Sequence, residues 1–232
     1  MKRSSECEMM DAPNNPPALL AEDLKNLRQF NRYLGGYRCI ARGVEQSVWQ
    51  HRLASFALLD VGTGSADIPI GIARWAMERG IDAKITVVDR DALTARIAAE
   101  SVKNQAALVL VRGDAAALPF APASFDFVTA SQFLHHFTES QIIELLRMWA
   151  KLARRAIIVG DLVRHPLAYQ GIRVLTRLWT KNIMTLTDAP LSVRRAFTLQ
   201  EWRALFERAA IGRFQMTSMF PYRVMARFDV AK

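Results

Sequence analysis

The sequence predicts an α/β fold built on a doubly wound sheet, and three observations carry that prediction. From residue 54 onward, short apolar runs of the kind buried in parallel sheets alternate with segments of helical period. The first run, Phe56-Ala57-Leu58-Leu59-Asp60-Val61, ends in a carboxylate and breaks into Gly62-Thr63-Gly64-Ser65, which reads as a buried strand feeding a tight loop and then a helix. The second, Lys84-Ile85-Thr86-Val87-Val88-Asp89, also ends in an acid, at the spacing where a β-α-β unit sets a carboxylate on ribose hydroxyls.

Each element follows from local pattern. Residues 1–17 hold Ser4-Ser5, Asn14-Asn15 and Pro16-Pro17 without periodicity and read as a flexible arm with no assigned role. Leu19, Leu20, Leu24, Leu27, Phe30 and Leu34 have helical spacing, and Gly35-Gly36 stop the helix. A second helix runs from Tyr37 to about Leu53, with Ile40, Val44, Val48 and Trp49 among its apolar and aromatic residues. After the first strand, Asp67 is expected as an N-cap, with Pro69 in the first turn, apolar Ile68, Ile72, Trp75 and Ala76, and Gly80 as the stop. Asp91 caps the next helix, which runs to about Lys103. Ala107 to Val111 is a third strand leading into Arg112-Gly113-Asp114-Ala115.

Phe125 to Ala130 is the fourth strand, opening into Ser131-Gln132-Phe133-Leu134-His135-His136-Phe137. Thr138 and Gln141 then form a capping box for a helix through about Leu152. Ala156 to Gly160 is the fifth strand, ending in Asp161. Pro166 to Met184 reads as one amphipathic helix, with Leu167, Ile172, Leu175, Leu178 and Trp179 apolar and Arg173, Arg177 and Lys181 polar. Its basic face also admits transient contact with a membrane surface. Thr198 and Glu201 make a second capping box for a helix to about Ala210, and Arg213–Met219 and Arg223–Val230 are strands joined at Phe220-Pro221-Tyr222.

The chain of 232 residues fits one globular domain with a lid, and 51% apolar residues supply its core. No long uncharged apolar stretch and no signal-type leader is found, so a soluble, cytoplasmic protein is expected. Cys7 and Cys39 are too few for a disulfide framework and lack metal-ligand spacing, so reduced thiols and no metal ligands are expected. The net charge of +9 admits an anionic partner, but the arginines are scattered, as in Arg154-Arg155 and Arg194-Arg195, which disfavours nucleic acid.

The glycine turn and the distal acid Asp89 together call for an adenosine-type cofactor, because an ionised carboxylate accepts both hydrogen bonds of a ribose diol. A pyrophosphate-binding turn wants a third glycine where this chain has Asp67. Asp60 and Asp67 would repel a diphosphate and suit an ammonium and a sulfonium. That pattern favours S-adenosyl-L-methionine over NAD.

Leu59-Asp60-Val61-Gly62-Thr63-Gly64-Ser65, Asp89, Gly113-Asp114 and Phe125-Asp126-Phe127-Val128, in this order, resemble the signature of class I S-adenosylmethionine-dependent methyltransferases. Asp161-Leu162-Val163-Arg164-His165-Pro166 and Ser192-Val193-Arg194-Arg195-Ala196-Phe197-Thr198 resemble small bacterial methyltransferases of phenolic, polyketide or quinone-type substrates. The resemblance implies a mixed seven-stranded, Rossmann-like sheet with an N-terminal helical lid and an inserted helix after strand five. It divides a single domain, 18–232, into a lid (18–53), a cofactor-binding core (54–160), a substrate lid insert (161–197) and a closing helix and hairpin (198–232). It also implies a cofactor set of Asp60, Gly62, Thr63, Gly64, Asp89, Arg90, Asp114, Ala115 and Ser131, with Asp114 on the adenine amino group and the Ala115 amide on a ring nitrogen.

Methyl transfer to a hydroxyl needs a displacement in line and a group to take the proton, and a histidine suits the second task. The candidates are His135 and His136, of which at most one is expected to face inward, and Asp161, either as base or as the partner that orients a histidine. His165 follows the fifth strand, and Arg164 and Arg194 are candidate anion ligands. The fourth strand ends in Thr129-Ala130-Ser131, with no acidic trio for Mg²⁺ and no Asp/Asn-Pro-Pro-Tyr run of the kind found in base N-methyltransferases. The expected activity is therefore O-methylation of a small apolar phenolic or polyketide-type acceptor. The alternatives are C-methylation of a quinone precursor and a non-catalytic cofactor-fold module that binds nucleic acid or protein.

Overall fold

A computed structural model describes residues 1–230; Ala231 and Lys232, the last two residues of the expected closing segment, lie outside the described residues. The strands are β1 (Ser55–Val61), β2 (Asp82–Asp89), β3 (Leu108–Arg112), β4 (Phe125–Ser131), β5 (Ala153–Leu162), β6 (Gly212–Met219) and β7 (Arg223–Val230). They form one seven-stranded sheet in the order β3-β2-β1-β4-β5-β7-β6. β1 to β5 are parallel, and β7 enters antiparallel between β5 and β6. This is the mixed, doubly wound sheet expected. The order reverses beside β1, so the ends of β1 and β4 flank the crevice where ligands dock in such sheets.

Among the described residues there are eight α-helices: α1 (Pro17–Tyr33), α2 (Gly36–Gln50), α3 (Asp67–Glu78), α4 (Ala92–Val102), α5 (Glu139–Leu152), α6 (Pro166–Trp179), α7 (Ile183–Arg195) and α8 (Leu199–Ala209). On one face Ile40, Val44 and Val48 of α2, Ile72 of α3 and Ala98 of α4 pack on Leu58, Ile85, Phe127 and Ile158. On the other, Ile142, Leu146 and Trp149 of α5 and Trp202 and Phe206 of α8 pack on Leu59, Val128, Ile157 and Phe228. Among the described residues no helix is long and apolar enough to cross a membrane.

Trp149 anchors the second face. It is fully buried, and its indole N–H donates to the Ala115 carbonyl at 3.1 Å, so α5 is tied to the loop after β3. Trp149→Ala is expected to cost about 3–5 kcal/mol, measured as the change in unfolding free energy in urea. A loss under about 1 kcal/mol would mean that the site collapses around the void.

Three local expectations are corrected. Asp67 is the first residue of α3 and not its cap: Ala66, in a left-handed conformation, precedes the helix, and the Asp67 carboxylate accepts from Ser65 Oγ and Asn31 Nδ2. The single inserted helix is two, α6 and α7, divided at Thr180–Asn182, where Asn182 caps α7 by accepting from the Thr185 N–H at 3.0 Å. The N-terminal residues expected as a flexible arm pack across the carboxyl edge. The Arg3 guanidinium lies 3.9 Å over the Phe197 ring and donates to the carbonyls of Arg195, His135 and Phe137. The Met9 and Met10 amides donate to Asp188 of α7 at 2.9 Å. The capping boxes at Thr138/Gln141 and Thr198/Glu201 stand as expected.

Candidate active site

The apolar β1 runs through the core and delivers Asp60 and the Gly62–Ser65 loop to the crevice. Gly62 and Gly64 hold φ of +68° and +57°, the left-handed region that a Cβ disfavours. A Cβ on Gly62 would also collide with the Phe133 ring. The Gly64 N–H donates to Asp89 Oδ2 at 3.0 Å, and the Asp91 N–H to Oδ1 at 3.1 Å, so one carboxylate joins the ends of β1 and β2. Asp60 is buried; its Oδ1 accepts from Thr129 Oγ1 at 2.6 Å. Burial pushes the Asp60 carboxyl up to about 6 against that hydrogen bond, and Asp67 and Asp89 add like charge. Asp89 is raised as well, chiefly by burial, which the Gly64 and Asp91 amides oppose.

These groups line one cavity of about 780 Å³, which also takes in Arg90, Gly113, Asp114, Ala115 and Ser131. Asp114 is exposed and accepts from the Ala116 N–H at 2.8 Å, and Arg90 accepts at its carbonyl from Arg112. The expected lid divides into two tasks. From α1, Asp23, Leu24, Leu27 and Asn31 reach the cavity, and Asn31 links Asp67 to Gln132 of the loop after β4; α2 instead covers the sheet. Likewise α7 contributes Asp188, Ser192 and Arg195 to the cavity while α6 does not line it.

The acceptor end centres on the loop after β4. Leu134–His136 is a 3-10 turn, and it stacks the two imidazoles at 4.4 Å between centroids, so both histidines face the same space rather than one. His135 is buried, with Nδ1 2.7 Å from Oδ1 of the fully buried Asp161. Asp161 also accepts from the Leu134, His135 and Leu162 amides; it is therefore the group that orients His135 and its loop. On the far side, His135 Nε2 stands 3.5 Å from Glu8 Oε1, and both atoms are buried without a hydrogen-bond partner among the described residues. Burial alone would hold His135 down, but Asp161 and Glu8 outweigh it and push the ring up to about 10. His136 Nδ1 lies 2.8 Å from Asp11 Oδ2, and its Nε2 lies 3.9 Å from Glu8 Oε2.

The remaining candidates lie elsewhere. His165 caps α6 and stacks on Tyr222 at 4.8 Å; Arg164 binds Glu201 and the Ala196 carbonyl; Arg194 lies 3.6 Å from Glu6. Arg154 and Arg155 both pair with Asp126. Glu8 and Asp11, which do reach the site, gave no sequence signal because nothing nearby in the chain reveals what they meet, and of the Arg194-Arg195 pair it is Arg195 that lines the cavity.

Residues 58–156 match a family model described as "Methyltransferase domain". The chain is 30% identical over 174 residues to a demethylmenaquinone methyltransferase of Roseiflexus sp. (strain RS-1), covering 67% of this chain and 68% of that protein. The chain belongs to the class I S-adenosylmethionine-dependent methyltransferases. A demethylmenaquinone methyltransferase of Roseiflexus castenholzii is 30% identical over 138 residues, 53% of each chain. Among solved structures, human N-acetylserotonin methyltransferase with S-adenosylmethionine aligns at a TM-score of 0.67 and 16% identity, covering 94% of this chain and 57% of that one. A methyltransferase from Aquifex aeolicus aligns at 0.58 and 15%, covering 80% and 89%. These two likenesses concern the fold.

This methyltransferase is an enzyme, so the reading as a non-catalytic module falls away, and its cofactor is S-adenosylmethionine. The cavity's chemistry fits that cofactor. Asp60, Asp67, Asp89 and Asp91 surround the glycine loop, and the buried Thr63 hydroxyl there has no hydrogen-bond partner among the described residues. Such a wall repels a pyrophosphate and suits a ligand that carries an ammonium and a sulfonium.

Proposed function

We propose that this methyltransferase acts on a hydroxyl oxygen of a small, largely apolar hydroxyaryl acceptor of phenolic or polyketide type. The supporting observation is the pair of unpartnered buried atoms, His135 Nε2 and Glu8 Oε1, 3.5 Å apart on the cavity wall. One hydroxyl entering there would relieve both groups. His135, oriented through Asp161, would hold the acceptor's oxygen, Glu8 Oε1 would take the hydroxyl proton as the methyl group is transferred, and His136 would flank the pair. When bound, S-adenosylmethionine supplies a methyl group already activated by its sulfonium charge. Asp89 would take the ribose diol, and Asp114 with the Ala115 amide would take the adenine edge. Asp60, Gly62, Thr63, Gly64, Arg90 and Ser131 would complete the cofactor wall. The domain reading extends the same proposal: 18–232 as one methyltransferase unit in which α1 and α7 close over the acceptor.

A second reading, C-methylation of a quinone precursor, is favoured by two observations. The relative from Roseiflexus sp. is named as a demethylmenaquinone methyltransferase. An apolar hollow of about 270 Å³ between α1 and α6, lined by Phe30, Tyr33, Leu175 and Trp179, suits an alkyl tail. Incubation with S-adenosylmethionine and a panel of alkylated phenols and hydroquinones separates the readings. An O-methyl product by NMR supports the first and a C-methyl product the second. No turnover of either class by protein that binds S-adenosylhomocysteine would overturn both.

Asp60 gives a pH test of the cofactor wall. A carboxyl with its folded value near 6 is ionised above that pH and attracts the cationic cofactor; below it the group takes a proton. Affinity for S-adenosylmethionine is expected to weaken as pH falls through 6, by up to about tenfold per unit. S-adenosylhomocysteine, without the sulfonium, should show a shallower slope by calorimetry. Equal slopes would take Asp60 out of cofactor recognition.

A further inference from the structure

Three side chains from two distant parts of the chain converge beneath the N-terminal segment. We propose that Glu8, His135 and His136 bind one divalent cation of the late first-row type, such as Zn²⁺, and leave a coordination position open to the cavity. This departs from the sequence reading, which finds no metal-ligand spacing because the carboxylate is supplied by the arm. It rests on the reading that this cluster activates an acceptor hydroxyl, which would then meet His135 Nε2 and Glu8 Oε1 through the ion's open position and not directly.

Two outer carboxylates orient the two imidazoles. His135 Nδ1 is held by Asp161 at 2.7 Å and His136 Nδ1 by Asp11 at 2.8 Å. A carboxylate on Nδ1–H fixes the ring and aims Nε2 at the ligand, the outer-shell arrangement of metal-binding histidines; an ion there takes the place of the proton that His135 Nε2 carries in its absence and releases it to solvent. Both Nε2 atoms face Glu8, at 3.5 Å from Oε1 and 3.9 Å from Oε2. The ligand atoms of the three residues lie within 4.8 Å of one another.

Geometry and satisfaction agree with an ion. Ligands at about 2.0–2.2 Å from a tetrahedral centre stand roughly 3.3–3.6 Å apart. The His135–Glu8 separation already has that value, and His136, the more exposed ring, needs only a small movement. A cation would also satisfy the two buried atoms that have no partner among the described residues, His135 Nε2 and Glu8 Oε1.

The donor types also suit an ion. Glu8 faces the Arg195 guanidinium, whose Nε is 3.7 Å from Oε1 and whose Nη2 donates to the His136 carbonyl at 2.7 Å, while Asp11 and Asp161 hold the outer nitrogens of the two rings. Two imidazoles and one carboxylate select Zn²⁺, Co²⁺ or Fe²⁺ over Mg²⁺ or Ca²⁺. Three protein ligands with an open fourth position are the pattern of catalytic sites, where a bound hydroxyl loses its proton to bulk water more readily.

The test is titration of the full chain, stripped with EDTA and dialysed, with Co²⁺, followed by its visible absorption and by displacement with Zn²⁺. One equivalent per chain with the intense bands of four-coordinate Co²⁺ is expected. Asp11→Asn should lower affinity about 10–100-fold, and Glu8→Gln should abolish stoichiometric uptake, with S-adenosylhomocysteine binding retained in both as proof of folding. No stoichiometric uptake by the wild type, or unchanged affinity in Glu8→Gln, would overturn the site. Stripped enzyme that methylates a hydroxyaryl acceptor at the full rate would overturn the ion's catalytic use and leave the functional reading standing. Stoichiometric binding without turnover of any hydroxyaryl acceptor would overturn that reading and leave the ion site in place.

Discussion

His135→Gln is expected to lower kcat by about 10²–10⁴-fold while affinity for S-adenosylhomocysteine holds. The ring sits between Asp161 and Glu8, so its Nε2 is the one polar atom of the cluster that is both oriented by a fully buried partner and free to meet a ligand. Truncation to alanine would strand two buried carboxylates, a loss of about 3–5 kcal/mol, and would confuse catalysis with unfolding. Glutamine fills much of the ring's space with an uncharged amide that cannot exchange a proton. Asp161→Asn should follow the same course, because the amide no longer holds the Nδ1–H tautomer. Steady-state kinetics with any accepted phenol, beside calorimetry with S-adenosylhomocysteine, give the answer. Wild-type turnover in a folded His135→Gln enzyme would remove His135 from the reaction.

Asp89→Ala is expected to weaken S-adenosylhomocysteine binding on the order of 100-fold, as hydrogen bonds to a charged group are each worth about 1.5–3 kcal/mol. The carboxylate at present accepts from the Gly64 and Asp91 amides, so the substitution both leaves a ribose diol unpaired and frees the glycine loop. Asp89→Asn, which keeps one acceptor oxygen, should lose less. Affinity unchanged in the alanine variant would place the ribose elsewhere.

How far the site was legible can be followed residue by residue. Asp89, Gly62 and Gly64 were readable because each ends or follows an apolar run, and chain neighbours fix their place at the carboxyl edge. Asn182, which caps α7, carried a signal of its own through Thr185, but Pro190 inside the helix and its Thr, Asp and Ser residues masked the helical pattern. The arm was opaque because it is held by polar reach and not by apolar periodicity. Arg3 donates to the His135 carbonyl 132 residues away, and nothing near Arg3 in the chain announces that partner.

The sequence by itself determined the alternation of strands and helices, the glycine loop with its two acids, and through them a methyltransferase fold with a cationic cofactor. Those features depend on periods of two to four residues and on backbone freedom at single glycines, which are local properties. Only the tertiary structure decided that both histidines face one space, that Asp161 orients His135, and that Glu8 and Asp11 join them. A side chain's partner and charge state depend on burial and on groups brought within a few ångströms from remote segments, and that proximity exists only once the arm, the loop after β4 and the end of β5 have come together.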